Sequence, residues 1–307
     1  MVSPIYLVAA GLGGAFTLGL LRDQWRAAAY VITLCVLVFT SWIAASWTIA
    51  LASGSVETVE ILTAGTLPPF SVNLRLGLAE AVLVLLISLT GLLSALYLKD
   101  TLFKQGRRAM AVLLIFSMAL SGIVMTRDLF NLFVFFELTV ISTGGLILLS
   151  RDERSLGAGF KYLVASQVVS ILMLVGIIFA YHATGSLNID SMAGVSELLI
   201  SGGALAFFLI FIALIAELKV FPANGWALDI YESAHPAFSA LVSAGTGSAT
   251  LIAIDKLLLI GGAPWMQVAS AIGIVSFVGA NLFALSQKDD RRLLGYSSVA
   301  QIGLVLP

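Results

Sequence analysis

The sequence predicts an all-α, polytopic membrane protein of about ten transmembrane helices. Three observations predict it. Hydrophobic residues make up 60% of the chain and charged residues 11%, where a soluble domain carries about 25% charged residues. The apolar residues fall in runs long enough to cross a hydrocarbon core of ~30 Å, which takes roughly 20 residues of helix. The basic residues lie mainly between those runs and favour alternate loops, as membrane topology requires.

The runs cover 4–21, 27–53, 76–98, 109–126, 129–149, 160–181, 199–221, 236–259, 266–286 and 293–307. The first is followed by the charged RDQWR and has neither a basic n-region nor a small-residue cleavage site. It reads as a retained span, not a signal peptide. Gly11, Gly13 and Gly14 within it suit a close helix-packing face better than a nucleotide loop. The last run is short and reaches Pro307 without a charged flank, as in a chain that stops inside its tenth span.

Arg22, Arg26, Lys99, Lys104, Arg107, Arg108, Arg151, Arg154, Lys288, Arg291 and Arg292 fall on one side of this arrangement. Arg75, Arg127 and Lys256 fall on the other, while Lys161 and Lys219 lie within or at the edge of runs. The positive-inside rule puts the larger group in the cytoplasm and the N-terminus outside a cell membrane. Segment 54–75, with Pro68, Pro69 and the alternating VNLRL, is then an external loop or hairpin.

Several functions are disfavoured. A net charge of −1 gives no basic surface for nucleic acid. The lone Cys35 cannot form an intrachain disulfide, and His182 and His235 are too few for a metal cluster. No phosphate-binding glycine loop or nucleophile–base set is present, so no cofactor and no metal are expected, and lipid is the surrounding partner.

The informative residues are the charges inside the runs. An ionisable group in mid-bilayer costs at least ~2.5 kcal/mol, so it needs a partner, a cavity or a function. Glu137 sits in NLFVFFELTVIS. It reads either as a protonated acid hydrogen-bonded between helices or as a carboxylate that exchanges a proton. Glu217 and Lys219 sit in FIALIAELKVFPANGW. Two residues apart on a helix means ~200° apart, so they cannot face the same partner. Pro222, Asn224 and Gly225 follow and break the helix, a device that frees backbone groups to line a cavity. The plainer reading is a helix end with snorkelling charges. Lys161, in GAGFKYLVASQ, is either a snorkelling interfacial lysine or a second basic station on a polar path that includes Ser166, Gln167 and Ser170.

TRDLFNLFVFFELTVIS (126–142), FKYLVASQVVSILMLVG (160–176) followed by ATGSLNI (183–189), the spacing Pro222, Trp226, Asp229, and QKDDRRLLGYSSVAQIGLVL (287–306) together resemble the antiporter-like subunit family. That family includes the D subunit of Mrp sodium/proton antiporters, the proton-pumping membrane subunits of respiratory complex I, and relatives in membrane-bound hydrogenases. DLFNLFVFFE looks closest to the Mrp D subunit.

The resemblance implies about fourteen helices in two inverted five-helix repeats, each with a broken helix. On that pattern 1–108 holds helices 1–3 and the external loop. Residues 109–259 form the first repeat, helices 4–8 with helix 7 broken, and 260–307 begin a second, incomplete repeat. Glu137 matches the family's glutamate that pairs with a lysine of the broken helix. Lys161 matches its span-6 lysine. The family's broken-helix lysine lies five residues before the proline, where this chain has Glu217. Lys219 lies three before Pro222, so either residue can hold that role. The family's span-8 lysine is replaced by Ser248, with Lys256 farther along beside Asp255, and His235 is a substitute relay group.

The resemblance therefore implies a membrane subunit that translocates protons, or exchanges Na⁺ for H⁺, through a Glu–Lys switch within a larger complex. Its partners would be other membrane subunits, antiporter-like ones among them, and a peripheral redox module, as in a translocating oxidoreductase or hydrogenase. The chain itself would not be the redox-active part. The alternative is a structural membrane anchor with a degenerate half-channel.

Overall fold

The computed structural model describes residues 1–63, 65–66, 71–150, 153–193 and 203–306. Arg151, Pro68, Pro69, Pro307 and the start of the run at 199–221 lie outside the described residues. The described chain is helical apart from one hairpin. In order it comprises α1 (Tyr6–Leu20), α2 (Arg26–Ala52), β1 (Val59–Leu62), β2 (Asn73–Leu76), α3 (Leu78–Tyr97), α4 (Lys99–Gln105) and α5 (Arg107–Met125). There follow α6 (Leu129–Ile147), α7 (Glu153–Thr184), α8 (Ile189–Met192), α9 (Gly203–Glu217), α10 (Gly225–Ser233), α11 (Pro236–Leu241), α12 (Gly247–Ala284) and α13 (Asp290–Val305).

Among the described residues, six helical stretches are long and apolar enough to cross a membrane, and α1 and α9 are shorter apolar helices. One of the six is the 49-residue stretch Pro236–Ala284, where the sequence reading had two runs. Gly262, at φ 67°, kinks it, and Pro264 follows. Proline removes a backbone donor and clashes with the preceding turn, so the chain bends there without a loop. β1 and β2 pair antiparallel, with Glu60 opposite Arg75.

The starts of several helices are written locally. The Asp128 carboxylate accepts the Asn131 N–H at 2.8 Å and opens α6. Asp289 does the same for α13 through the Arg292 N–H at 2.9 Å. Glu80 reaches back to the Gly77 N–H at 3.1 Å at the start of α3. Each satisfies a donor that the first helical turn leaves free.

α5 is the pillar of the bundle. Every residue from Phe116 to Met125 is buried, as expected of a helix apolar on all sides. It packs on α1, α2, α3, α6 and α12. Gly11 and Gly14 of α1 allow close contact: a Cβ at Gly11 would lie 2.6 Å from Met118 Cβ.

The far end of α5 is closed by Lys256. This residue of α12 is 2% exposed. Its ammonium donates to the carbonyls of Val124, Ile123 (3.2 Å) and Thr126 (2.9 Å). These carbonyls belong to the last turn, where a helix has no acceptors satisfied and its dipole is negative. Around them the connections knit together. The Arg127 guanidinium holds Asp190 with two hydrogen bonds, the one from Nε at 3.0 Å, and keeps that carboxyl below its usual range. Asn188 donates to Asn73 at 2.8 Å.

The opposite end carries its own ion pairs. Arg107 binds Asp23 at 2.7 Å and the α1 carbonyls of Leu18 and Gly19. Arg292 binds Glu232 at 2.7 Å.

Replacing Lys256 with Met is expected to lower stability by roughly 2 kcal/mol, because stranded carbonyls outweigh the relief of burying a cation. Thermal unfolding in detergent measures this, and Lys256→Arg should lose less.

Candidate ion-translocation site

The two acids lie against α7, Glu217 buried and Glu137 half-buried. Glu137 lies at the middle of α6, and Glu217 is the last residue of α9. α7 runs between them and supplies the polar side chains. Tyr162 and Ser166, one turn apart on the buried face of α7, donate to the two oxygens of Glu217 at 3.1 and 3.2 Å. Gln167 donates to Glu137 Oε2 at 3.2 Å. The other oxygen, Oε1, is buried without a hydrogen-bond partner. The two acids are thus served by adjacent residues of α7, Ser166 and Gln167.

Close helix packing sets this geometry. A Cβ on Gly144 of α6 would lie 2.5 Å from the Leu163 side chain of α7. One on Gly176 of α7 would lie 2.8 Å from Ile210 and 3.0 Å from the Ala206 carbonyl of α9. Small residues at such contacts let helix backbones approach.

After Glu217 the chain leaves the helix. Lys219 has φ 58°, a left-handed conformation uncommon for a residue with a Cβ. α10 resumes at Gly225. The interruption is satisfied from neighbouring elements: Phe221 N–H donates to Ser276 Oγ at 3.1 Å, and the Trp226 indole donates to the Ala216 carbonyl at 3.4 Å. Trp226 also lies on Tyr162, with ring centres 5.0 Å apart, and so roofs the Glu217 site.

Lys219 turns away from the acids. It is 1% exposed. Its ammonium reaches the Tyr231 hydroxyl at 3.4 Å and stands 5.3 Å from the centre of that ring. Among the described residues it has no carboxylate partner. Tyr231 in turn borders a cavity of about 580 Å³ between the α11–α12 segment and α13. A five-residue π-helical turn, Val242–Thr246, lies on its wall. The Ser243 hydroxyl there meets Ser298 of α13 at 3.1 Å.

The other residues singled out in the sequence lie elsewhere. Lys161 has a 70% exposed side chain and pairs with Asp229 of α10 at 3.1 Å. Asp229 is shared with Arg292 at 3.6 Å. His235 caps α11, its Nδ1 accepting the Ala237 N–H at 3.4 Å, and its ring lies between Tyr97 and Phe238. Burial and nearby Arg291 lower its pKa. The structure thus places Glu137 and Glu217 on adjacent residues of α7, while Lys219, Lys161 and His235 bond other groups.

Tyr162 and Tyr231 were not singled out in the sequence. Tyr162, Ser166 and Ser170 at i, i+4 spacing form a polar stripe on an apolar helix, which was a readable signal for the first. Lys256 read only as a charge near a span end. Among the described residues no group of three or more metal-ligating side chains is present.

Residues 126–307 match the family described as "NADH:quinone oxidoreductase/Mrp antiporter, TM". NADH-quinone oxidoreductase subunit N of Desulforudis audaxviator is 28% identical over 303 residues, covering 91% of this chain and 60% of the relative. The same subunit of Rubrobacter xylanophilus is 33% identical over 205 residues, covering 63% of this chain and 42% of the relative. Among solved structures, a chain of the membrane-bound sulfane sulfur reductase, an archaeal respiratory membrane complex, superposes with a TM-score of 0.91 at 28% identity, covering 99% of this chain and 64% of that one. A chain of the Mrp complex from Dietzia sp. DQ12-45-1b has the same fold, with a TM-score of 0.90 at 22% identity, covering 100% of this chain and 58% of that one. The chain spans about 60% of the length of the first of these relatives. It belongs to the NADH:quinone oxidoreductase/Mrp antiporter family of membrane proteins.

Proposed function

We propose that this chain translocates protons, or exchanges Na⁺ for H⁺, as a membrane subunit of a larger complex. The observation that carries the reading is a pair of acids, buried Glu217 and half-buried Glu137, held by side chains of α7 beside a helix interruption. An apolar interior holds a carboxyl only at a cost in free energy. A site that bears that cost and leaves one carboxylate oxygen unpartnered is suited to taking up and releasing a proton. The Glu–Lys switch takes a specific form here. Glu217 occupies the position where the family has its lysine, and Lys219 is the movable base. Among the described residues its ammonium is held by the hydroxyl and ring of Tyr231 alone, two residues from Glu217 in sequence. A swing from Tyr231 toward the acids would pair it with them, and the return would part them.

The finer architecture belongs to the same proposal. α9 and α10 form a broken helix 7 among ten spans, 109–259 is one antiporter-like repeat, and 260–307 begins a second. The N-terminus lies outside on the positive-inside rule. Partners are other membrane subunits, and the drive comes from a redox module or a partner antiporter subunit. A second reading, a structural anchor with a degenerate half-channel, is favoured by one observation: Lys161 is exposed and ion-paired with Asp229, apart from the acids.

Transport by the assembled complex in proteoliposomes separates the readings. Glu137→Gln and Glu217→Gln should each lower the rate about tenfold or more with assembly intact. Lys161→Gln should change it by no more than about twofold, as for an exposed pair. Full transport by Glu137→Gln would leave the anchor reading standing. Unfolding in detergent tests the site itself: Tyr162→Phe should cost about 2 kcal/mol in the native chain and much less when Glu217 is already Leu.

A further inference from the structure

A second cavity, of about 390 Å³, lies at the end of the bundle that carries most of the positive charge. Lys104 of α4, His235 before α11 and Arg291 of α13 line it, together with Thr101, Gln105 and Ser233. No acidic residue lines it. Elsewhere at this end Arg107, Lys161 and Arg292 are each paired with a carboxylate. Among the described residues Lys104 and Arg291 have no carboxylate partner. The Gln105 amide and the Ser233 hydroxyl already donate to carbonyls, which leaves two unneutralised cations, an imidazole and the Thr101 hydroxyl facing one space as a donor set for a phosphate group.

The surroundings identify the source of that phosphate. Exposed Tyr97 lies against His235 with ring centres 5.8 Å apart, and amphipathic rings of this kind settle at the headgroup level of a bilayer. Pro236 and Arg291 also line the larger cavity, whose wall carries Ala240, Ala244, Leu251 and Leu294 together with five serines and Gln301. The basic chamber thus adjoins a longer groove along a membrane helix, whose Ala and Leu side chains offer an apolar track beside the seat for a headgroup. Basic pockets between transmembrane helices bind anionic headgroups by this chemistry.

We infer that Lys104, His235 and Arg291 form a binding site for the phosphate of an anionic phospholipid, whose acyl chain lies along α11 and α12 past Pro236. The lipid would tie α4, α11 and α13 together at the end of the bundle where α10 is anchored.

The test measures the melting temperature of the full chain in detergent with phosphatidylglycerol, phosphatidylcholine or inorganic phosphate added at equal phosphate concentration. Phosphatidylglycerol alone should raise it. Lys104→Gln with Arg291→Gln should increase the half-saturating phosphatidylglycerol concentration about tenfold or more, by loss of two charge-assisted contacts. Arg22→Gln with Lys99→Gln, which removes equal charge at the same end, should leave it unchanged. Should the double variant not fold, the single Lys104→Gln, at an exposed side chain, is expected to show a smaller increase in the same direction. An equal rise with phosphatidylcholine, or an unchanged response in the Lys104 variants, would overturn the site. An equal rise with inorganic phosphate would overturn the lipid as its occupant.

Discussion

Hydrocarbon offers no hydrogen bonds, so a polar group within this bundle finds its partner in the chain or stays buried at a cost in free energy. The contact of Glu217 with Tyr162 and Ser166 is where that constraint is sharpest. It occurs where α9 stops, so a carboxylate and a run of freed backbone groups need partners at the same place. α7 supplies them for the carboxylate. Ser276 and Trp226 supply them for the backbone. With the acid held toward α7, the chain turns through Lys219 in a left-handed conformation and delivers the lysine to Tyr231. The separation of acid from base follows from that single turn.

The site also depends on a rigid frame. α5, buried on all sides, fixes α1, α6 and α12 around it. Lys256 then ties α12 to the last turn of α5. A cation placed on three carbonyls satisfies the helix end and its own charge together. The short α10 is held in two ways. Ala227, Leu228, Ile230 and Tyr231 are buried against its neighbours, and Asp229 and Glu232 tie it to Lys161 and Arg292.

Much of this was legible in the sequence. Hydropathy marked the apolar helices, six of which are long enough to cross a membrane among the described residues, because the hydrocarbon core sets a minimum apolar length. The separation of Glu217 from Lys219 was also foreseen, from helical spacing, but the physical cause differs. Lys219 is outside the helix, so a turn rather than a 200° rotation divides them. The pairing of Lys161 with Asp229 and the capping by Lys256 were not legible. Both join residues far apart in the chain, and no local pattern encodes which distant carbonyl or carboxylate a lysine will meet. The kink at Gly262 replaced an expected loop because glycine and proline bend a helix without ending its hydrophobic run.

The central claim is that Glu137 and Glu217 work as one unit. A double-mutant cycle on ion transport by the assembled complex tests it most directly, comparing Glu137→Gln, Glu217→Gln and the two combined. Residues that act together are strongly non-additive, so the combined variant should transport within about threefold of the worse single variant. Losses that multiply, as for two independent groups, would contradict the account.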